Sequence, residues 1–259
     1  MSLHTTLKRS RLMLGALAGS LLLTGSAQAL SENVSGSLAL DYNSHFMSYG
    51  ANVWNTDSIG DQTIVNPSVS LTYSINEGSG VYVGAWADVN DTKSTPTYYG
   101  KFVQELDVWV GYYFTAGDFK FDFTLQQWYY GQETEGIFDV TVSYATMFSP
   151  YVKAHNRFDT VGGAQQKGTM FEVGATLYST TVGAVSLSFP VAVGFSLDDY
   201  HVAGEDGYAY SLVAAKFSVP LAESIDFHGA VSYYNTDEDT TGNAHDGYFT
   251  LNLGVGYAF

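Results

Sequence analysis

The sequence contains no cysteine. In an exported chain that excludes a disulfide scaffold, and it excludes zinc sites built on thiolates. Positive charge is scarce: ten Lys and Arg stand against 26 Asp and Glu. Such a balance leaves no electrostatic footprint for nucleic acid. Beyond residue 29 no apolar run is long enough to cross a membrane as a helix. Helix start and stop signals are nearly absent, and no Pro- or Ser-rich linker divides the chain.

What is present begins with a leader. Lys8, Arg9 and Arg11 form a basic start, LMLGALAGSLLLTG a short apolar core, and SAQA a run of small residues ending at Ala29. This is the form of a secretory signal peptide, too short for a membrane anchor. The chain therefore divides into a leader, 1–29, and one all-β domain, 30–259. Ten basic residues less the leader's three leave seven against 26 acids, a formal charge of −19. A surface of that sign favours cations at low ionic strength.

The domain alternates. At its end Phe249, Leu251, Leu253, Val255, Tyr257 and Phe259 occupy every second position, separated by Thr250, Asn252, Gly254, Gly256 and Ala258. Period-2 patterning of this kind is a strand with one apolar face. It recurs in twelve blocks, near 34–46, 66–75, 80–89, 102–114, 118–130, 136–148, 151–158, 168–178, 185–198, 208–219, 224–234 and 247–259. Short turns (INEGSG, TAGD, SP, STTVGA, LAES) alternate with mostly longer polar stretches, of which MSYGANVWNTDSIGDQTIV is the longest. Short turns on one rim and long loops on the other is the pattern of outer-membrane barrels, and an even strand number puts both termini on the short-turn, periplasmic side.

Alternation alone leaves open which face is inside. A soluble sandwich buries the apolar face; a membrane barrel turns it to lipid. Three features favour lipid. Twelve strands enclose more space than strand side chains alone fill, since about eight is the packed limit. The apolar sets are bulky throughout, whereas the opposite sets mix Gly, Ser and Thr with charges. Aromatic residues crowd the strand ends, including Phe46, Tyr73, Phe114, Phe119, Tyr144 and Tyr233, where amphipathic rings suit a membrane interface. The predicted fold is an antiparallel transmembrane β-barrel of about twelve strands.

The terminal GVGYAF resembles the C-terminal signal by which barrel-assembly machinery recognises bacterial outer-membrane proteins, with Tyr257 and Phe259 as its aromatic residues. The segments LALDYNSHFMSYGANVW, NPSVSLTYS, GVYVGAWADV, ELDVWVGYYF and QQWYY look like the TorF-type porin family. Gly84, Trp86 and Asp88 match its third strand; Glu105, Asp107, Gly111 and Tyr112 match its acidic strand. HFMSYG stands where that family commonly has an Arg-Gly element. The resemblance implies an outer-membrane pore without an assigned substrate.

By parity the inward face carries the charge. Its acidic members are Asp41, Asp88, Glu105, Asp107, Asp122, Asp139, Glu172 and Asp226; its basic members are Lys120, Lys153, Arg157 and Lys216, with His155 and His228 nearby. A basic stripe facing an acidic wall sets a transverse field in a narrow pore. Alternatively the same charges pair across strands and hold the interior together. Trp86, Trp109 and Trp128 also point inward, as a sugar slide or as structural aromatics. The expected role is passive diffusion of ions or small polar solutes, leaning to cations. The alternatives are a plugged structural or adhesive barrel and, third, a barrel hydrolase. No Ser–His pair falls on the lipid face, and the loop pairs Asp199–His201 and His245–Asp246 meet no catalytic motif. NTDEDTTGN completes no EF-hand. Nothing in the sequence calls for a cofactor or a resident metal. Expected partners are outer-membrane lipid and lipopolysaccharide, the assembly machinery, and the solutes themselves.

Overall fold

The computed structural model describes residues 32–91, 102–162, 166–201 and 205–259. The expected leader lies outside them, as does most of the NDTKSTPTYYGK loop. The elements are β1 (Val34–Asn43), β2 (Met47–Ser48), β3 (Ala51–Asn52), β4 (Ile64–Asn76), β5 (Ser79–Val89), β6 (Val103–Ala116), β7 (Phe119–Tyr130), β8 (Glu133–Tyr144), β9 (Tyr151–Val161), β10 (Gly168–Val182), β11 (Val185–Leu197), β12 (Gly207–Ala222), β13 (Ile225–Thr236), the one-turn helix α1 (Glu238–Thr241) and β14 (Gly247–Ala258). Twelve strands close into an antiparallel barrel in the order β1-β14-β13-β12-β11-β10-β9-β8-β7-β6-β5-β4, while β2 and β3 pair only with each other.

β14 closes the ring. Ser37 faces Ala258 and Asp41 faces Gly254 across the seam. The last residue completes the ladder, with Phe259 N donating to Gly36 O at 3.0 Å and Gly36 N to Phe259 O at 2.8 Å. Closure leaves no strand edge, so every ladder group is satisfied within the sheet, as a hydrocarbon surround demands. Both ends of the described chain lie on the rim that carries the short turns.

The apolar sets face outward. Val83 is 48 % exposed, Val110 49 %, Leu125 49 % and Phe249 64 %. Their alternate neighbours line the interior: Glu105, Glu135, Asp139, His155 and Arg157 are buried. In water so large an apolar belt around a polar interior would be inverted; in a bilayer it is the stable arrangement. One of the register shifts in the sheet is a bulge in β10 between Thr176 and Ser179. Leu177 and Tyr178 both turn outward there, and the Tyr178 ring stacks near Phe189 at 6.3 Å.

Two expected blocks overshoot. The first strand stops at Asn43 rather than 46 because the chain then turns into the lumen. The 136–148 block ends at Tyr144, and residues 145–150 form a turn. Tyr144 N donates to Pro150 O at 2.9 Å, and Ser149 takes a left-handed φ of 41°. Phe148 keeps the even-numbered apolar parity in sequence without continuing the sheet.

Candidate functional site in the lumen

The longest loop does not stay outside. Residues 44–56 fold into the barrel, led by the β2–β3 hairpin. Its two central residues, Tyr49 at φ 49° and Gly50 at φ 90°, both adopt positive φ, the requirement of a tight two-residue hairpin turn. Gly50 is needed for space as well: a Cβ there would lie 2.7 Å from the Tyr210 ring on β12. The wall clamps the hairpin at several points. Asn243, in the α1 loop, accepts from Asn52 N at 2.8 Å and donates to Gly50 O at 2.8 Å. Trp54 Nε1 donates to Asp88 at 2.7 Å, and the Phe46 ring lies 5.3 Å from Trp86. His201 Nε2 donates to the Tyr49 carbonyl at 3.1 Å. Burial brings the His201 imidazole down to about 4, against the pull of that carbonyl and helped by the Arg157 charge. Burial likewise lowers His45 at the hairpin's base, where neighbouring acidic groups partly offset it.

At the tip, Tyr49 enters a polar network on β8 and β9. Lys153 Nζ donates to Tyr49 Oη at 2.7 Å and lies 3.0 Å from Asp139. His155 is wholly buried, with Nδ1 2.5 Å from Asp139 and 2.7 Å from Tyr49 Oη. A carboxylate only accepts, so Nδ1–H faces Asp139, and Nε2 accepts from Tyr200 Oη at 3.0 Å. Arg157 donates to Glu135 at 2.7 Å and to the Tyr200 carbonyl at 2.8 Å, with its guanidinium 4.0 Å from the Tyr200 ring centre. Burial pushes the Tyr49 and Tyr200 phenols well up, so both remain hydrogen-bonding neutral groups.

The register puts all twelve of these charged residues on the inner face, Asp41 among them opposite Gly254. Asp88 opposes Glu105, and Asp107 lies between Trp86 and Trp128. Glu172 opposes Lys153, Lys120 opposes Ser143, Lys216 opposes Ser188, and Asp226 opposes Gly256. The basic members are mostly paired: Lys120 with Asp122 at 3.5 Å, Lys153 with Asp139, and Arg157 with Glu135. His228 bridges Asp226 at 2.7 Å and Asp41 at 3.0 Å. Among the described residues Lys216 has no carboxylate within 4.0 Å, and no cation comes within 4.0 Å of Asp88, Glu105, Asp107 or Glu172. Glu172 accepts hydrogen bonds from Tyr151 at 2.6 Å and from Tyr210. Asp107 Oδ1 is shielded from water and has no hydrogen-bond partner.

Between hairpin and wall lies a cavity of about 340 Å³. Phe46, Met47 and Tyr49 close it on the loop side; Trp86, Trp128, Tyr210 and Tyr234 with Glu105, Asp107 and Glu172 form the barrel side. An interior too wide for strand side chains is thus filled in part by the chain's own loop. Tyr49, Tyr200, His201 and Asn243 were not among the residues picked out for the lumen. The Tyr-Gly pair was the one local signal, because two successive positive-φ residues mark a tight hairpin. At the closing seam the Tyr257 and Phe259 rings stack at 5.8 Å.

No protein-family model and no curated protein sequence matches the chain. Solved structures do. An outer-membrane channel of Pseudomonas putida F1 aligns with a TM-score of 0.52 at 10 % identity, over 91 % of this chain and 98 % of that one. The NanC porin aligns at 0.50 and 11 %, over 85 % and 98 %. The CymD monoaromatic hydrocarbon channel aligns at 0.50 and 8 %, over 88 % of each. At such identities the likeness is one of fold. The chain is a closed twelve-stranded barrel with the fold of outer-membrane porins and channels.

Proposed function

We propose that the barrel is a porin-like channel for passive diffusion of ions or small polar solutes, with a preference for cations and no catalytic step. One observation carries the preference. Lys120, Lys153 and Arg157 are neutralised by neighbouring carboxylates, leaving Lys216 as the one unpaired lumen cation among the described residues, whereas four acids, Asp88, Glu105, Asp107 and Glu172, have no cationic partner within 4.0 Å there. Unpaired charge of one sign lining a low-dielectric conduit attracts the opposite ion. Asp122, Asp139 and Asp226, paired with Lys120, Lys153 and His228, line the same wall and hold it in register. The hairpin narrows the path from the long-loop rim. The remaining features fit a Gram-negative outer-membrane protein like the TorF-type porins: a leader cleaved after Ala29, periplasmic termini, assembly through Tyr257 and Phe259, and loops that meet lipopolysaccharide.

Planar-bilayer recording of the purified barrel tests this. The expectation is stepwise conductance and, in a KCl gradient, a reversal potential of the sign for K⁺ over Cl⁻. Silence across a range of salts overturns it. The clamped hairpin favours a second reading, a plugged structural barrel; that reading requires silence even after residues 47–52 are deleted.

A further inference from the structure

The cavity under the hairpin has a composition that selects a ligand class. Its walls offer ring faces from Trp86, Trp128 and Tyr210, and its carboxylates are Glu105, Asp107 and Glu172. Lys153 is the cation at its edge, and that charge is already engaged by Asp139 at 3.0 Å. The cavity therefore carries net negative charge. Glu105 is only 3 % exposed, and Asp107 Oδ1 is out of contact with both water and any donor. A buried acceptor left unpaired is costly, and a donor arriving with a ligand removes that cost.

The same acids do not chelate. Among the described residues no group of three His, Asp or Glu side chains converges closely enough to hold a metal ion. Glu105 and Asp107 lie on β6 and Glu172 on β10, with aromatic faces between them. Dispersed carboxylates around aromatic rings suit a diffuse cation with an apolar body, because ring faces attract ammonium groups and cover methylenes at once. A volume of about 340 Å³ lies at the lower end of small-molecule sites.

We propose that this cavity is a binding site for a small organic monocation, a primary or secondary amine in its ammonium form with an aromatic or short alkyl body, on its way through the channel. The inference rests on the channel reading for its purpose but not for its chemistry. The ammonium group sits by Glu105 and Asp107, and the body stacks on Trp86 and Trp128. A neutral sugar also stacks on tryptophan and donates hydroxyls to a carboxylate, but it brings no charge to offset the negative charge of the cavity.

The test is titration of intrinsic tryptophan fluorescence in the detergent-solubilised barrel. The probes are benzylammonium, benzyl alcohol, benzoate and glucose. The expected result is saturable change with benzylammonium and at least tenfold weaker response to the other three. Glu105→Gln with Asp107→Asn, near-isosteric changes, should weaken cation binding at least tenfold while heat-modifiable gel migration stays that of a folded barrel. If migration of the double variant is lost, Asp107→Asn alone carries the comparison. Equal binding of benzyl alcohol or glucose, or unchanged affinity in the folded variant, overturns the site. Bilayer recording separates the two readings: conductance without cation binding overturns the site and leaves the channel, and binding with silent bilayers does the reverse.

Discussion

Acidification should undock the hairpin, and His201 sets the size of the effect. Its Nε2–H donates to the Tyr49 carbonyl at the hairpin tip, in a pocket where burial and the Arg157 charge disfavour the imidazolium. Released into water, the same ring titrates near 6.5. The undocked state therefore binds more protons between about pH 6.5 and about 4. Docking is strongest above that window and weakens as pH falls through it. A displacement from 6.5 to about 4 corresponds to about 3 kcal/mol at full protonation, of which about 2 kcal/mol is already lost at pH 5. His45 acts in the same direction at the hairpin's base. Two measurements follow it. Hydrogen exchange of residues 44–56, corrected for the intrinsic pH dependence, should speed up by more than tenfold between pH 7.5 and 5. Single-channel conductance should rise over the same range. His201→Gln retains an amide donor for the Tyr49 carbonyl without titrating, and should flatten both profiles apart from the part due to His45. A parent protein whose exchange and conductance are flat across this range, or a His201→Gln protein that responds like the parent, refutes the reasoning.

Gly50→Val places a β-branched residue at φ 90° and against the Tyr210 ring; it should destabilise the docked hairpin by about 1–3 kcal/mol, read as faster exchange of 44–56 in a barrel with normal heat-modifiable migration. Arg157→Ala strands the buried Glu135 carboxylate and removes the strut under Tyr200; the expected loss is about 3–5 kcal/mol, measured as a lower urea midpoint, and Arg157→Met with Glu135→Leu should recover most of it. Deleting Phe259 removes both seam hydrogen bonds to Gly36; the membrane-assembled fraction should fall far more than after deletion of the exposed loop residue Ile59, and equal effects would count against an assembly role.

The strands were legible because period 2 is a local property. Each outward residue of β7, from Phe119 to Leu125, had to be apolar for one physical reason, contact with hydrocarbon, so the pattern carries its own register. The hairpin was not legible for the opposite reason. HFMSYG has no periodicity, and the groups that hold it come from distant loops: Asn243 is 193 positions from Gly50, and His201 is 152 from Tyr49. Each is an unremarked polar residue until the barrel brings it to the same rim.

The lumen charges also sort themselves once positions are known. Transverse field and cross-strand pairing were alternatives for the whole set, but they apply to different parts of it. Lys120–Asp122, Lys153–Asp139 and Arg157–Glu135 are neighbours on the same or adjacent strands, and His228 reaches from β13 over Gly254 of β14 to Asp41 on β1, the geometry of structural pairing. What pairing leaves over is concentrated on β5 and β6 at Asp88, Glu105 and Asp107, with Glu172 alone on β10. Trp54 of the inserted loop is tied to Asp88, and Phe46 rests on Trp86 two residues away. The unpaired acids and the loop that covers them are therefore one structural unit. A cation entering from the long-loop rim meets both together, so occupancy of the cavity and displacement of the hairpin are coupled by contact rather than by distance.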